Sequence, residues 1–260
     1  HSLHDQVLLT LGLEERQQAV ALPWNISWET GKSSPQEIDT GTRIYDLFMQ
    51  QGEGRSLLIL GEPGAGKTTT LLTLARDLLS QTDERQRIPA IFNLSSWTGG
   101  EIATWLVSEL NSKFQIPKNI GTSWVEEQQL LLLLDGLDEV RLDRRKDCAI
   151  AINQFHQDYG PELVVCCRIK AYEALDFRLG FQSALYVRSL SDAQIWQYLD
   201  RAETGLTGLK SLLERSRQYP QETSSEEITS EEISSEEKKT TEQAATEPTL
   251  LDLARSPLLL

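Results

Sequence analysis

Positive charge is what this sequence has least of relative to need: Lys and Arg number 25 against 39 Asp and Glu, a net charge of −14. A general nucleic-acid binder needs clustered Lys and Arg to neutralise phosphates, so that class is set aside. Cysteine is scarce too. The three residues Cys148, Cys166 and Cys167 are odd in number, show no metal-ligand spacing, and two are adjacent in an apolar run. This argues against a disulfide framework or a zinc site and for buried free thiols in a reducing, cytoplasmic setting. No signal peptide is recognisable and no apolar run is long enough to cross a bilayer. The sequence has no initiator Met and stops in the apolar Ser256-Pro257-Leu258-Leu259-Leu260, so it reads as a piece of a longer protein.

What is present allows one large α/β domain with a smaller appendage: 260 residues, 39% of them hydrophobic. The negative charge is uneven. Residues 221–247 hold nine Glu and two Lys, a net −7 of the total −14. Here Ser225-Glu226-Glu227-Ile228 nearly repeats as Ser230-Glu231-Glu232-Ile233 and Ser235-Glu236-Glu237. This composition reads as a disordered, low-complexity insertion.

Residues 1–37 read as an N-terminal helix (3–20) and a linker, and a helical face resumes over 40–51 with Ile44, Leu47 and Phe48. Ser56-Leu57-Leu58-Ile59-Leu60 is a continuous apolar run suited to a strand buried on both faces. Ile88–Leu94, Leu130–Leu134, Leu163–Cys167 and Ala184–Val187 are further strand candidates, separated by helical segments at 67–80, 101–113 and 143–159. The alternation predicts a parallel sheet with helices on both faces over residues 38–190. Strand signals stop after Leu190. Ser191 can N-cap a helix running through Ala202, and further helices near 205–217 and 249–255 complete a small helical domain over 191–260.

The strongest motif is Gly61-Glu62-Pro63-Gly64-Ala65-Gly66-Lys67-Thr68, which follows the buried strand and opens a helix. It satisfies G-x-x-x-x-G-K-[ST] in the structural context that motif requires. Gly64 and Gly66 let the backbone wrap an anion with its N–H groups, and the helix N-terminus adds partial positive charge. Lys67 reaches the β- and γ-phosphates and the Thr68 oxygen ligates Mg²⁺, with Thr69 next in line on the helix. The second motif is Leu130-Leu131-Leu132-Leu133-Leu134-Asp135-Gly136-Leu137-Asp138-Glu139. It places Asp135 at the C-terminal edge of a buried strand, where open α/β sheets bind ligands. Asp135 is the natural Mg²⁺ acid. Either Asp138 or Glu139 can orient or deprotonate the attacking water. The third is Arg168, just past Leu163–Cys167 on the same edge, where it can report a γ-phosphate.

Together these motifs resemble the NACHT family of signal-transduction NTPases within the wider STAND class. The hallmark is Asp135-Gly136-Leu137-Asp138-Glu139. The runs Arg55 to Thr70, Ser2-Leu3-His4, Leu11-Gly12-Leu13-Glu14-Glu15-Arg16 and Pro23-Trp24 look like bacterial, particularly cyanobacterial, NLR-like members. The resemblance implies a sheet of order 2-3-4-1-5, counted from the Ser56 strand, with the Arg168 strand between the P-loop and Asp135 strands. It implies that the helices after Leu190 form a lid, and that Pro257 in Arg255-Ser256-Pro257-Leu258 packs on the adenine and ribose. It further implies a switch in which ADP holds a closed form, ATP an open and self-oligomerising one, and slow hydrolysis resets it. The activating ligand and the effector would act through domains outside this chain. Adenine over guanine follows from the resemblance and from the lack of an Asn-Lys-x-Asp motif. An AAA-type remodelling ATPase is the alternative. It would need an arginine finger, for which Arg178 is the nearest residue. A small-molecule kinase would need an Arg-rich lid, where 100–125 offers only Lys113 and Lys118.

Overall fold

The computed structural model describes residues 13–16, 19–20, 36–37, 42–81, 87–201 and 210–214. The expected insertion at 221–247, the helix near 249–255 and Pro257 lie outside the described residues. The chain divides into two compact units, Thr10–Ser189 and a second made of His1–Leu9 with Leu190–Leu260.

The first unit is built on strands β1 (Leu13–Glu15), β2 (Gln36–Glu37), β3 (Ser56–Gly61), β4 (Ile88–Asn93), β5 (Leu130–Asp135), β6 (Leu163–Arg168) and β7 (Ser183–Val187). Its helices are α1 (Ile44–Met49), α2 (Lys67–Leu79), α3 (Ile102–Phe114), α4 (Lys118–Glu126), α5 (Arg145–Tyr159) and α6 (Ile169–Glu173). The seven strands order as β2-β1-β7-β3-β6-β5-β4. The five from β3 onward are parallel and give the 2-3-4-1-5 order, with β6 seated between β3 and β5.

The apolar runs form strands because both faces of the sheet are covered, which leaves no place for polar alternation. One face presents Leu58, Leu60, Leu132, Leu134, Val165 and Cys167 to a core shared with Ile102, Leu106, Ile152 and Phe155. The other presents Leu57, Ile59, Leu131, Leu133, Val164 and Cys166 to Phe48, Leu71, Leu74 and Leu78. Leu130 through Leu134 are all essentially buried. Each such leucine contributes about 1.5–3 kcal/mol.

Residues 1–37 need a correction. Leu13–Glu15, expected inside a helix, form β1 and pair antiparallel with β7, while Gln36–Glu37 pair with β1 in turn. An unpaired β7 edge would leave a row of backbone donors and acceptors open, and β1 closes it. Glu14, buried in this strand, is held by Arg16 and Arg188. Two short helices escaped the sequence reading. In α4, Gly121 weakens helix propensity, and the helix is held instead by its packing on α3, where Gly121 faces Leu110 and Val107. α6 is too short to show a period. It is fixed by buried Tyr172, whose hydroxyl donates to the Ala19 carbonyl (2.8 Å) and accepts from Leu179 N–H (2.9 Å).

In the second unit, α7 (Asp192–Arg201) begins as expected at Ser191. Its start is a reciprocal capping box. Gln194 N–H donates to Ser191 Oγ (3.3 Å), and Ser191 N–H donates to Gln194 Oε1 (2.9 Å). Residues 210–214 are helical, within the helix expected near 205–217. Among the described residues no helix is long and apolar enough to cross a membrane.

Candidate functional site

The parallel strands deliver their last residues to one edge. Register places Gly61 beside Arg168 and Asn93 beside Asp135. From Gly61 the chain turns through Glu62, exposed Pro63, Gly64, buried Ala65 and Gly66, and enters α2 at Lys67. Gly64 and Gly66 take φ of 73° and 94°, a region costly to residues with a Cβ. Gly66 is the N-cap of α2, and no side chain caps the helix there. The first-turn N–H groups therefore remain as an anion cradle, reinforced by the helix dipole. Thr70, buried in the second turn, ties its hydroxyl back to Gly66 O (2.9 Å), while Thr68 and Thr69 stay exposed.

Lys67 Nζ donates to the carbonyls of Gly61 (3.1 Å) and Glu62 (2.9 Å). Burial pulls its ammonium below the ordinary lysine range, and the attraction of Asp138 opposes this. Thr68 Oγ1 donates to Asp135 Oδ2 at 2.8 Å, joining residues 67 positions apart. Burial pushes the Asp135 carboxyl above the ordinary carboxylate range. The Thr68 hydrogen bond works against that push and the nearby Glu139 adds to it.

Beyond Asp135 the chain reverses at Gly136, φ 77°, into a 3-10 turn over Leu137–Glu139 that buries Leu137. A Cβ at Gly136 would lie 2.8 Å from Glu139 Oε2, so the glycine makes room for the Glu139 side chain as well as for the turn. The two acids are then treated differently. Asp138 Oδ1 accepts from the main-chain N–H of Arg168 (2.9 Å), and its Oδ2 is 2.7 Å from Arg168 Nε. Glu139 is exposed and accepts from Asn93 Nδ2 at 2.9 Å.

Lys67, Thr68, Asp135, Asp138, Glu139 and Arg168 thus stand along one sheet edge. Asn93 and Arg145 join them without having been expected. Asn93 had a legible signal, a polar residue closing the apolar strand Ile88–Phe92. Arg145 had none: it sits in an arginine-rich run, yet its Nη2 donates to Asp138 O (2.6 Å) and Val140 O (3.3 Å) and clamps the turn. Arg178 is occupied otherwise. Its Nη1 donates to Leu175 O (2.8 Å) and Phe177 O (3.1 Å), and its guanidinium lies 5.3 Å from the Tyr172 ring centre. Lys113 is paired with Glu109.

The donor set suits a hard divalent cation. A hydroxyl oxygen and a carboxylate oxygen in direct contact are the oxygen ligands Mg²⁺ accepts, and Mg²⁺ commonly needs only one or two protein ligands beside phosphate and water. The three cysteines form no disulfide, and Cys166 touches the site only as a weak thiol donor to the Lys67 carbonyl at 4.0 Å. All are buried and free, and burial pushes the Cys148 and Cys167 thiols up to about 12 and Cys166 well above its ordinary value.

The NACHT domain family model matches residues 55–205, more than half of the chain. No curated protein matches. Among solved structures the chain is similar to C. elegans PCH-2, with 17% identity over 64% of this chain and 41% of that one and a TM-score of 0.35. A likeness that distant carries no argument, and the chain spans less than half of that structure's length.

Proposed function

Because this chain belongs to the NACHT family of P-loop nucleotide-binding NTPases, we propose that it is a nucleotide-dependent signalling switch that binds ATP or ADP with Mg²⁺ and hydrolyses ATP slowly. The observation that carries the reading is the Thr68–Asp135 hydrogen bond at 2.8 Å, which brings the phosphate loop and the acidic strand end into one site. In this reading the backbone of Gly61 through Thr69 cradles the phosphates, and Lys67 leaves the Gly61 and Glu62 carbonyls to meet the β- and γ-oxygens. Thr68 and Asp135 hold the metal. A bound Mg²⁺ supplies positive charge that offsets the charge developing on the phosphate oxygens. Glu139 stands exposed beside Asp135 and is the acid best placed to take a proton from water. Arg168 faces the third phosphate from the neighbouring strand, Pro257 packs on the adenine and ribose, and the region 191–260 acts as the lid. The ATP form self-associates within the full-length protein, whose other domains take the activating ligand and pass on the signal. The AAA-type remodelling alternative loses its arginine-finger residue, since Arg178 is spent on its own loop.

Lys67→Ala tests the reading. Among the described residues Lys67 donates to two loop carbonyls alone, so the stability of the nucleotide-free chain should stay within about 0.5 kcal/mol of wild type. Bound nucleotide stabilises by RT ln(1 + [L]/Kd), about 2.7 kcal/mol at a hundredfold excess over Kd. That gain should be present with Mg²⁺–ATP in the wild type and vanish in the variant; an undiminished shift removes Lys67 from the site. Metal-dependent affinity should also weaken as pH falls through the raised Asp135 value, where the carboxylate gains a proton. It should weaken again as pH rises through the lowered Lys67 value, where the ammonium loses one.

A further inference from the structure

We propose that Asp138 is a positioning residue for Arg168 rather than the base: it sets the guanidinium with which Arg168, in the reading above, tells a nucleoside triphosphate from a diphosphate. This deepens the nucleotide-switch reading and rests on it.

A general base must offer a lone pair to water. The Asp138 side chain keeps only 8% of its exposure, and each of its oxygens already faces a donor of Arg168. Oδ1 takes the main-chain N–H and Oδ2 pairs with Nε, so one carboxylate fixes both the strand end and the first guanidinium nitrogen. The rest of the guanidinium is free to face outward. The Arg168 side chain is 52% exposed, and among the described residues its two terminal nitrogens make no hydrogen bond to the protein. A guanidinium whose Nε is paired with a carboxylate keeps its two terminal nitrogens for a ligand, and their planar fork suits phosphate oxygens. That fork lies on the phosphate side of the sheet. Arg168 is in register with Gly61, and the Lys67 ammonium feels Asp138 as an attraction and Arg168 as a repulsion. Arg145 completes the support by holding the Asp138 carbonyl at 2.6 Å, which fixes the acid's backbone to the start of α5.

The experiment measures the affinities of a non-hydrolysable ATP analogue and of ADP, both with Mg²⁺, for the whole chain. It uses wild type, Arg168→Gln, Asp138→Asn and the double variant, with the nucleotide-free melting temperature recorded for each. Arg168→Gln should lower the triphosphate-to-diphosphate affinity ratio about tenfold, the worth of a charge-assisted hydrogen bond. Asp138→Asn should lose a similar share, and the double variant no more than Arg168→Gln alone. A purely structural role would lower the melting temperature and leave the ratio unchanged. Arg168→Lys leaves Asp138 intact and should still lose the ratio, because an ammonium cannot hold Asp138 and present a planar edge at once. The proposal is overturned if Asp138→Asn slows turnover with the ratio intact, which makes Asp138 the base. It is overturned equally if the two losses add in the double variant, or if Arg168→Lys keeps the ratio. A wild type that binds neither nucleotide overturns the switch reading itself and this inference with it, and is told apart because no ratio then exists.

Discussion

The two edges of the parallel sheet share strands and core but handle charge in opposite ways. At the N-terminal edge, Glu162 is buried and takes Arg55 (2.9 Å) and Arg87 (2.6 Å) together. Around it Leu163 N–H donates to Arg55 O, Leu132 N–H to Glu162 O, and Gln182 N–H to Ser56 Oγ. The network closes on itself and ties five strands near their starts. At the C-terminal edge the pairs are looser: Thr68 with Asp135 and Glu139 with Asn93 meet by one hydrogen bond each, 2.8 and 2.9 Å, and Asp138, met twice by a half-exposed Arg168, is the enclosed exception. Buried pairs that answer one another serve the fold, whereas half-exposed charges held by single contacts can exchange those contacts for a ligand. Substitutions at the first edge should therefore cost stability and spare chemistry, and those at the second should do the reverse.

The largest effect expected is at Glu139. Glu139→Gln keeps the size of the side chain and can still accept from Asn93, so ATP should bind as in wild type. Turnover should drop by ~10²–10⁴-fold, the usual worth of a general base. Single-turnover hydrolysis with labelled ATP is the measurement, since the proposed switch would turn over slowly even in the wild type. An unchanged rate would take chemistry away from the most exposed acid of this edge and break the comparison there.

Glu162→Ala is the counterpart at the other edge. It strands two guanidinium groups, but Arg55 and Arg87 keep 22% and 31% of their side-chain exposure and can regain water. The loss should be about 2 kcal/mol, below the ~3–5 kcal/mol of a fully enclosed pair, read by urea denaturation. Nucleotide affinity at a temperature where the variant is folded should not change. A variant of normal stability with weakened nucleotide binding would show that the closed network reaches the site.

The same contrast explains what could be read before the structure. The five parallel strands were legible because burial on both faces erases polar alternation, leaving runs such as Leu130–Leu134 and Leu163–Cys167. Gly61 through Thr68 and Asp135 through Glu139 were legible because each run matches a motif of fixed spacing at the end of a buried strand. Their strand order came from the family resemblance, and the structure has it. β1 and β2 were hidden because strands of three and two residues have no period of their own and exist only through pairing with β7. Asn93 closes an apolar strand visibly, but its role and that of Arg145 were hidden because their partners are fixed by tertiary contact: Glu139 lies 46 residues from Asn93, and a main-chain carbonyl leaves no mark in the sequence. Asp138 and Glu139 could not be told apart by position, since adjacent residues are separated only by the direction the 3-10 turn gives each side chain.

The smallest effect, and the finest test of the two-edge contrast, belongs to Asn93. Its amide does two jobs. Oδ1 accepts from Ser95 N–H at 2.7 Å and caps the 3-10 turn over Leu94–Ser96, whereas Nδ2 donates to Glu139 at 2.9 Å. Asn93→Asp separates them. The carboxylate keeps the cap but loses the donor and sets a like charge against Glu139. Stability should stay within about 0.5 kcal/mol, as for an exposed substitution that spares its cap. Turnover should change by about fivefold, the equivalent of one ordinary hydrogen bond. A melting temperature that falls while turnover holds would assign Asn93 to the fold, as Glu162 is assigned, and move the border between the two kinds of charge one strand end further along the site.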